Sequence, residues 1–366
     1  MYRLLKFLPF LFNLLATEAI NREELHKRLD EVLDKIEETY PGEINQEELL
    51  KGMIIGVVRS VDKNADYISQ DQLNSMQELF KGENKGLGIT VEKCSQGFKV
   101  TSVFDNSNAA KEDFKSGDII VQLDELDLKN ISHQELIKKL SDERPYKIKL
   151  KRRGKILTKI ISPAPFAFSS LKLEWIKDIA YIKVVFIHEQ ADVEMLEIID
   201  SIKKRSHTKG VILDIRNVPG GSLLAAANIA CMLLDGDLVV DLKSKKDKSQ
   251  IISSGPDQLK NIPIVVLQNR NSCSAAEIIS ASLQASKRAT IMGQNSAGAA
   301  TGKVFLPLTT EKGALILTYA FLYDKNGKKI GTDGISPDIL LKEIKESKLT
   351  DYDSQISESL QFLGKK

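Results

Sequence analysis

The sequence is short of cysteine, histidine and net charge, and each shortage closes off a class of function. Its three cysteines, Cys94, Cys231 and Cys273, show no Cys-x-x-Cys spacing. An odd count cannot pair fully, so neither a disulfide scaffold nor a structural zinc site is expected. The four histidines, His26, His133, His188 and His207, are scattered and form no His-Glu-x-x-His pattern, which removes the commonest metalloprotease signature. Lysine and arginine number 52 against 50 aspartates and glutamates, a net charge of +2. A balance this even gives no electrostatic case for nucleic acid. Beyond the first twenty residues no run approaches the ~20 apolar residues that a membrane span needs.

What is present reads as a globular chain. Apolar residues make up 42% and charged residues 28% of 366 positions, so two or three packed domains are expected rather than a disordered chain. Arg3 and Lys6 precede an apolar run from Phe7 to Ala16, followed by Thr17-Glu18-Ala19. That layout is a secretory signal peptide over residues 1–19, with small residues at −3 and −1 of a cut after Ala19. The expected location is therefore periplasmic or exported, with retention in the inner membrane through an uncut leader as the alternative.

Three parts follow. Residues 20–80 read as helical, from the spacing of Leu25, Leu29, Val32, Leu33 and Ile36 and a break at Pro41-Gly42. Residues 84–165 read as a compact β module. Its strands are expected over Gly88–Val91, Phe98–Val103, Asp118–Leu123, Tyr146–Leu150 and Lys155–Ile161, with a helix over His133–Leu140. Its opening Lys85-Gly86-Leu87-Gly88-Ile89 can turn successive N–H groups inward as an anion nest. With Ser116-Gly117-Asp118-Ile119-Ile120 about thirty residues on, the module resembles a PDZ domain, which captures C-terminal tails by strand addition.

Residues 170–345 alternate strands and helices as an α/β domain with a central sheet. Strands are expected over Ile179–Ile187, Val211–Ile215, Ile264–Leu267, Ala289–Met292, Lys303–Pro307 and Leu315–Leu322, and helices over Leu223–Leu234 and Ala275–Ala285. A last amphipathic helix, 352–363 within the terminal segment 350–366, could dock on the core or on a partner chain. The fold class is multidomain α+β.

Chemistry is expected at two strand ends. At Asp214-Ile215-Arg216-Asn217-Val218-Pro219-Gly220-Gly221-Ser222 a strand turns into a helix, and glycines there can expose N–H groups to an oxyanion. An isolated Pro-Gly-Gly could equally be a tight turn with no ligand. At Asn269-Arg270-Asn271-Ser272-Cys273-Ser274-Ala275-Ala276-Glu277, Ser274 falls at a strand-to-helix junction of the kind that exposes nucleophiles. Ser274-x-x-Glu277 also reads as a plain capping box. Cys273 is a rival nucleophile with no basic neighbour in sequence, and fits better as a buried small residue.

Taken together, these segments resemble the carboxyl-terminal processing proteases, the S41 family of serine peptidases. The resemblance rests on the N-terminal helices ending Ser60-Val61-Asp62, the Gly-Leu-Gly-Ile start, the 213–221 and 269–278 stretches, Gly331-Thr332-Asp333-Gly334-Ile335-Ser336-Pro337-Asp338-Ile339, and Asp353-Ser354-Gln355-Ile356. It implies a ClpP/crotonase-like core and a Ser–Lys dyad with no metal or cofactor. It further implies Ser274 as nucleophile, oxyanion donors at Gly220, Gly221 and Ala275, and tail binding at Gly86, Leu87, Gly88 and Ile89. The implied substrates are proteins with apolar C-termini, and a homodimer is implied as well.

The base position departs from that pattern. The family's lysine falls at Ala299 and its orienting glutamine at Lys303, while the histidine of the tricorn-like branch falls at Asn64. A methyl group takes no proton. Either Lys303 has become the base, or the protein is a catalytically inactive relative that binds peptides as a scaffold or adaptor, or Ala299 is an engineered change. The divergence of the flanking Ser296-Ala297-Gly298 and Ala300 argues against the last.

Overall fold

The computed structural model describes residues 21–140, 142–309, 312–342 and 354–365. The expected leader at 1–19 lies outside them, as do residues 343–353 and with them the start of the last helix. The described residues divide into two compact units, one up to Ile54 and the other from Ile55 onward. The first unit contains α1 (Arg22–Thr39), which buries no residue and leaves Leu25 and Val32 more than half exposed. Helix α2 (Gln46–Val61) crosses into the second unit. The segment read as wholly helical then departs from that reading: β1 (Asp66–Ser69) is a strand, followed by α3 (Gln70–Phe80). Four residues ahead of a well-capped helix carry too short a pattern to show a period of two.

Next come β2 (Glu83–Gly86), β3 (Ile89–Cys94), β4 (Gly97–Val103), α4 (Asn108–Lys111), β5 (Ile119–Leu123), β6 (Leu126–Asp127), α5 (His133–Lys139), β7 (Tyr146–Arg152), β8 (Lys155–Ile161) and β9 (Ala164–Ala167). The sheet order is β3-β4-β5-β7-β8, so β3 lies at an edge. Phe98, Val100, Leu128, Tyr146, Ile148 and Leu150 fill its core. The two-stranded pair β2–β9 leads out of this module. There Phe166, Phe168 and Phe186 pack with Phe80 and Phe104, and Glu189 N and Phe168 N donate to the carbonyls of Phe80 and Gly82.

The remaining elements are β10 (Leu171–Ile176), β11 (Ile179–Val184), α6 (Ala191–Lys204), β12 (Gly210–Asp214), α7 (Leu223–Met232), β13 (Leu238–Ser244), β14 (Lys248–Ile252), β15 (Ile264–Gln268), α8 (Ala275–Ala285), β16 (Ala289–Gly293), β17 (Thr301–Pro307), β18 (Gly313–Tyr323), β19 (Ile339–Leu340) and α9 (Ser354–Leu363). They build two sheets rather than one. The first runs β10-β11-β12-β15-β16-β19 and is parallel from β11 onward. Every residue of β12 and β15 is buried, because both faces of the sheet are covered. Val211, Leu213 and Val266 pack with α6, α7 and α8. Ile212, Val265 and Leu267 pack with Ile356 and Leu363 of α9 on the other side. The last helix thus docks on its own core. The second sheet joins β1, β13, β14, β17 and β18, and takes the two strands 303–307 and 315–322 out of the single central sheet expected from sequence.

Phe98 is fully buried and Leu224 is 60% exposed. Truncating Phe98 to Ala is expected to cost about 3–5 kcal/mol, whereas Leu224→Ala stays within about 0.5 kcal/mol. Denaturant titrations of the two variants check the contrast.

Candidate active site

Three neighbouring parallel strands, β12, β15 and β16, deliver three loops to the same end of the sheet, where open α/β sheets bind ligands. The loop after β12 carries Pro219-Gly220-Gly221, the loop after β15 ends at Ser274, and the loop after β16 carries residues 294–300. The first two loops are clasped together. Asn269 Oδ1 accepts from Asn217 N at 3.0 Å, Asn269 Nδ2 donates to Asn217 Oδ1 at 2.8 Å, and Ser272 Oγ donates to the Ile215 carbonyl at 2.9 Å. Cys273 N donates to the Val218 carbonyl at 3.0 Å.

Ser274 has φ +54° and ψ −113°. A non-glycine residue held there costs of order 1–3 kcal/mol and needs its surroundings to hold it. Glu277 does so. Its carboxylate is fully buried and takes four hydrogen bonds. Oε2 accepts from Ser274 N and Ala299 N, both at 2.9 Å. Oε1 accepts from Ser296 Oγ at 2.6 Å and Gly298 N at 2.7 Å. Ser296 Oγ also accepts from Ile335 N at 2.6 Å. The capping-box and nucleophile readings of Ser274-x-x-Glu277 are therefore compatible: the glutamate that caps the helix also pins the strained serine to the third loop.

Gly220 and Gly221 have φ +127° and +142°. A Cβ on Gly220 would lie 3.5 Å from Ser274 Oγ, and one on Gly221 would lie 2.0 Å from the Ile187 carbonyl oxygen. Ile187 N and Ser222 N hold the turn through the Gly220 and Ile187 carbonyls. The N–H groups of Gly220, Gly221 and Ala275 have no acceptor among the described residues. They are free to meet an oxyanion.

Beneath the turn, Arg216 pairs with buried Asp214 at 2.8 and 2.5 Å and donates to Gln355 Oε1 of α9 at 2.9 Å. Tyr181 donates to Asp214 at 2.7 Å, and burial together with that carboxylate pushes its phenol far up, so it stays a donor.

The base is where the expected dyad is incomplete. Ala299 sits in the third loop with only a methyl group to offer. Lys303 lies in β17 and is exposed, and no hydrogen bond joins it to Ser274 among the described residues. It is near enough to Asp62 and Cys273 for its charge to act on both. Burial alone would raise the Asp62 carboxyl, but hydrogen bonds from Thr318 and Asn64, with the charge of Lys303, bring it below the usual carboxylate range. Burial and then Glu277 push the Cys273 thiol up, against the pull of Lys303.

The residues that the resemblance assigns to tail binding, Gly86, Leu87, Gly88 and Ile89, lie at a groove of their own. Gly88 has φ +85° and presses on Ser107, where a Cβ would come within 1.8 Å. Ala109 N and Phe104 N donate to the Leu87 and Gly88 carbonyls, and the Leu87 and Gly88 N–H groups have no acceptor among the described residues. Beside them a cleft of about 1200 Å³ is lined by Gly86, Leu87, Ile89, Leu136 and Leu140, and reaches Pro219 next to the Gly220-Gly221 turn.

A serine at a strained helix entry, with backbone oxyanion donors beside it and a strand-edge groove upstream, defines a serine-peptidase type of site on an α/β core. Comparison with known proteins agrees. Residues 178–341 match Peptidase family S41 and residues 86–161 match the PDZ domain. A carboxy-terminal-processing protease of Bartonella bacilliformis is 30% identical over 93% of this chain and 81% of its own length. The carboxy-terminal processing protease CtpA of Bacillus subtilis is 25% identical over 89% and 69%. Among solved structures, the photosystem II D1 C-terminal processing protease shares the fold, with a TM-score of 0.53 at 20% identity over 84% of this chain and 86% of its own. The chain belongs to the carboxy-terminal-processing proteases of peptidase family S41.

Sequence reasoning missed the Asn217–Asn269 clasp, Ser296 and Asp62. It read Glu277 only as a cap, although the Ser-x-x-Glu spacing was the signal available. Two outcomes are expected. Glu277→Gln leaves N–H donors facing an amide, at roughly 1–3 kcal/mol for each left unpaired, seen as a lowered melting temperature. Cys273 stays protonated at neutral pH, so its alkylation by iodoacetamide is slow at pH 7 and accelerates only above the ordinary thiol range; fast labelling at pH 7 contradicts the assignment.

Proposed function

We propose that this chain is an exported serine endopeptidase that cuts proteins near their C-termini, with the PDZ domain holding an apolar tail. The observation that carries the reading is Ser274: a costly backbone conformation is maintained beside three N–H groups without acceptors. A purely structural helix cap needs neither.

In the proposed step, the proton of Ser274 Oγ passes to Lys303 Nζ while Oγ bonds to the substrate carbonyl carbon. The resulting oxyanion is taken by Gly220, Gly221 and Ala275 N–H. Collapse breaks the C–N bond, and the Lys303 ammonium returns the proton to the leaving amine. Water then releases the acyl group. Lysine must be neutral to start. The apolar lining at Leu87, Ile89, Leu136 and Leu140 suits an apolar tail. Export to the periplasm, or membrane retention, rests on the leader sequence alone, and a homodimer through α1 is supported by its exposed Leu25 and Val32.

A second reading, a non-cutting peptide binder, is favoured by Ala299 and by the missing hydrogen bond between Lys303 and Ser274. Incubation with an unstructured protein ending in apolar residues separates the two. Cleavage by wild type, lost at least a hundredfold in both Ser274→Ala and Lys303→Ala, supports the first. Tail binding without turnover, with turnover appearing in Ala299→Lys, supports the second.

A further inference from the structure

We propose that the segment to be cut is held as an added strand on the open edge of β17, a subsite separate from the PDZ groove. This rests on the reading of the chain as a tail-binding peptidase and deepens it.

Strand β17 pairs with β18 and with no other strand among the described residues. In an antiparallel pair, residues alternate between those that bond their partner and those whose N–H and C=O point away. Two hydrogen bonds fix which is which. Thr318 N donates to Asp62 Oδ2 at 3.1 Å, on the side of β18 away from β17. Its partner Lys303 is therefore in a non-bonded pair. Leu308 N donates to the Gly313 carbonyl at 3.0 Å, so the bonded positions are 304, 306 and 308. The N–H and C=O of Lys303 and Phe305, and the C=O of Pro307, thus face outward. Proline at 307 agrees, since it lacks only a donor that β18 does not use. Lys303, Leu306 and Pro307 are exposed.

The edge starts at the catalytic loop. Ala299 N and Ser274 N share one oxygen of Glu277, so the strand leaves from beside the nucleophile. An unpaired edge is a template for another chain. Main-chain pairing there would extend a polypeptide past Ser274 with little demand on its sequence, while the tail confers selectivity elsewhere.

Residue-resolved amide hydrogen exchange on full-length Ser274→Ala protein tests this, with an unstructured 30-residue polypeptide ending in Ala-Leu-Val as the probe. The expected result is at least tenfold slower exchange at Lys303 and Phe305, unchanged exchange at Val304 and Leu306, and slowing at Leu87 and Gly88. Slowing at Leu87 and Gly88 with none at Lys303 and Phe305 overturns the edge subsite and leaves tail capture standing. No slowing at either place overturns both.

Discussion

The site depends on one buried carboxylate. Glu277 is fully buried, so its carboxyl oxygens must be met by donors from the protein. It finds them in Ser274 N, Ser296 Oγ, Gly298 N and Ala299 N. Those donors come from two loops that the fold brings side by side at neighbouring parallel strands. One buried carboxyl group therefore sets the serine's strained backbone, the path of the 296–299 loop and the point where β17 begins. An error in any of the three would leave a buried carboxyl oxygen short of partners.

The same arrangement explains how the loop keeps its path with Ala299 at the place where the resemblance puts a lysine. Position 299 contributes to the site through its backbone N–H, which any residue but proline supplies. Its side chain is free to change without disturbing Glu277. The Gly220-Gly221 turn is likewise held from below, by the Asp214–Arg216–Gln355 chain of contacts and by Tyr181. The side chain at position 299 is thus the part of the loop open to substitution, and Lys303, further along the same loop-to-strand path, is a cation close enough to act on Cys273.

Much of this was legible in the sequence because short motifs encode local geometry. The Pro-Gly-Gly turn and the Ser-x-x-Glu spacing place their own backbones, and the helix over Ala275–Ala285 was read to the residue. The buried runs of β12 and β15 show as continuous apolar stretches. What could not be read depends on contacts distant in sequence. The assignment of β17 and β18 to a second sheet follows from the pairing of β18 with β13 and with β1, where Ser69 meets Gly313 and Asp66 meets Ile316. The meeting of Asp62 with Thr318 and Lys303, and the docking of α9 under Arg216, have no local signature. Helix α6 was passed over between strand signals although Met195, Ile198, Ile199 and Ile202 recur at helical spacing.

The most direct measurement is the rate at which Ser274 forms a covalent adduct with an activated fluorophosphonate at pH 7, followed by intact mass. The account predicts one adduct, on Ser274, formed at least a hundredfold more slowly in Lys303→Ala than in wild type. Equal rates in the two proteins, or no adduct on wild type, would contradict it.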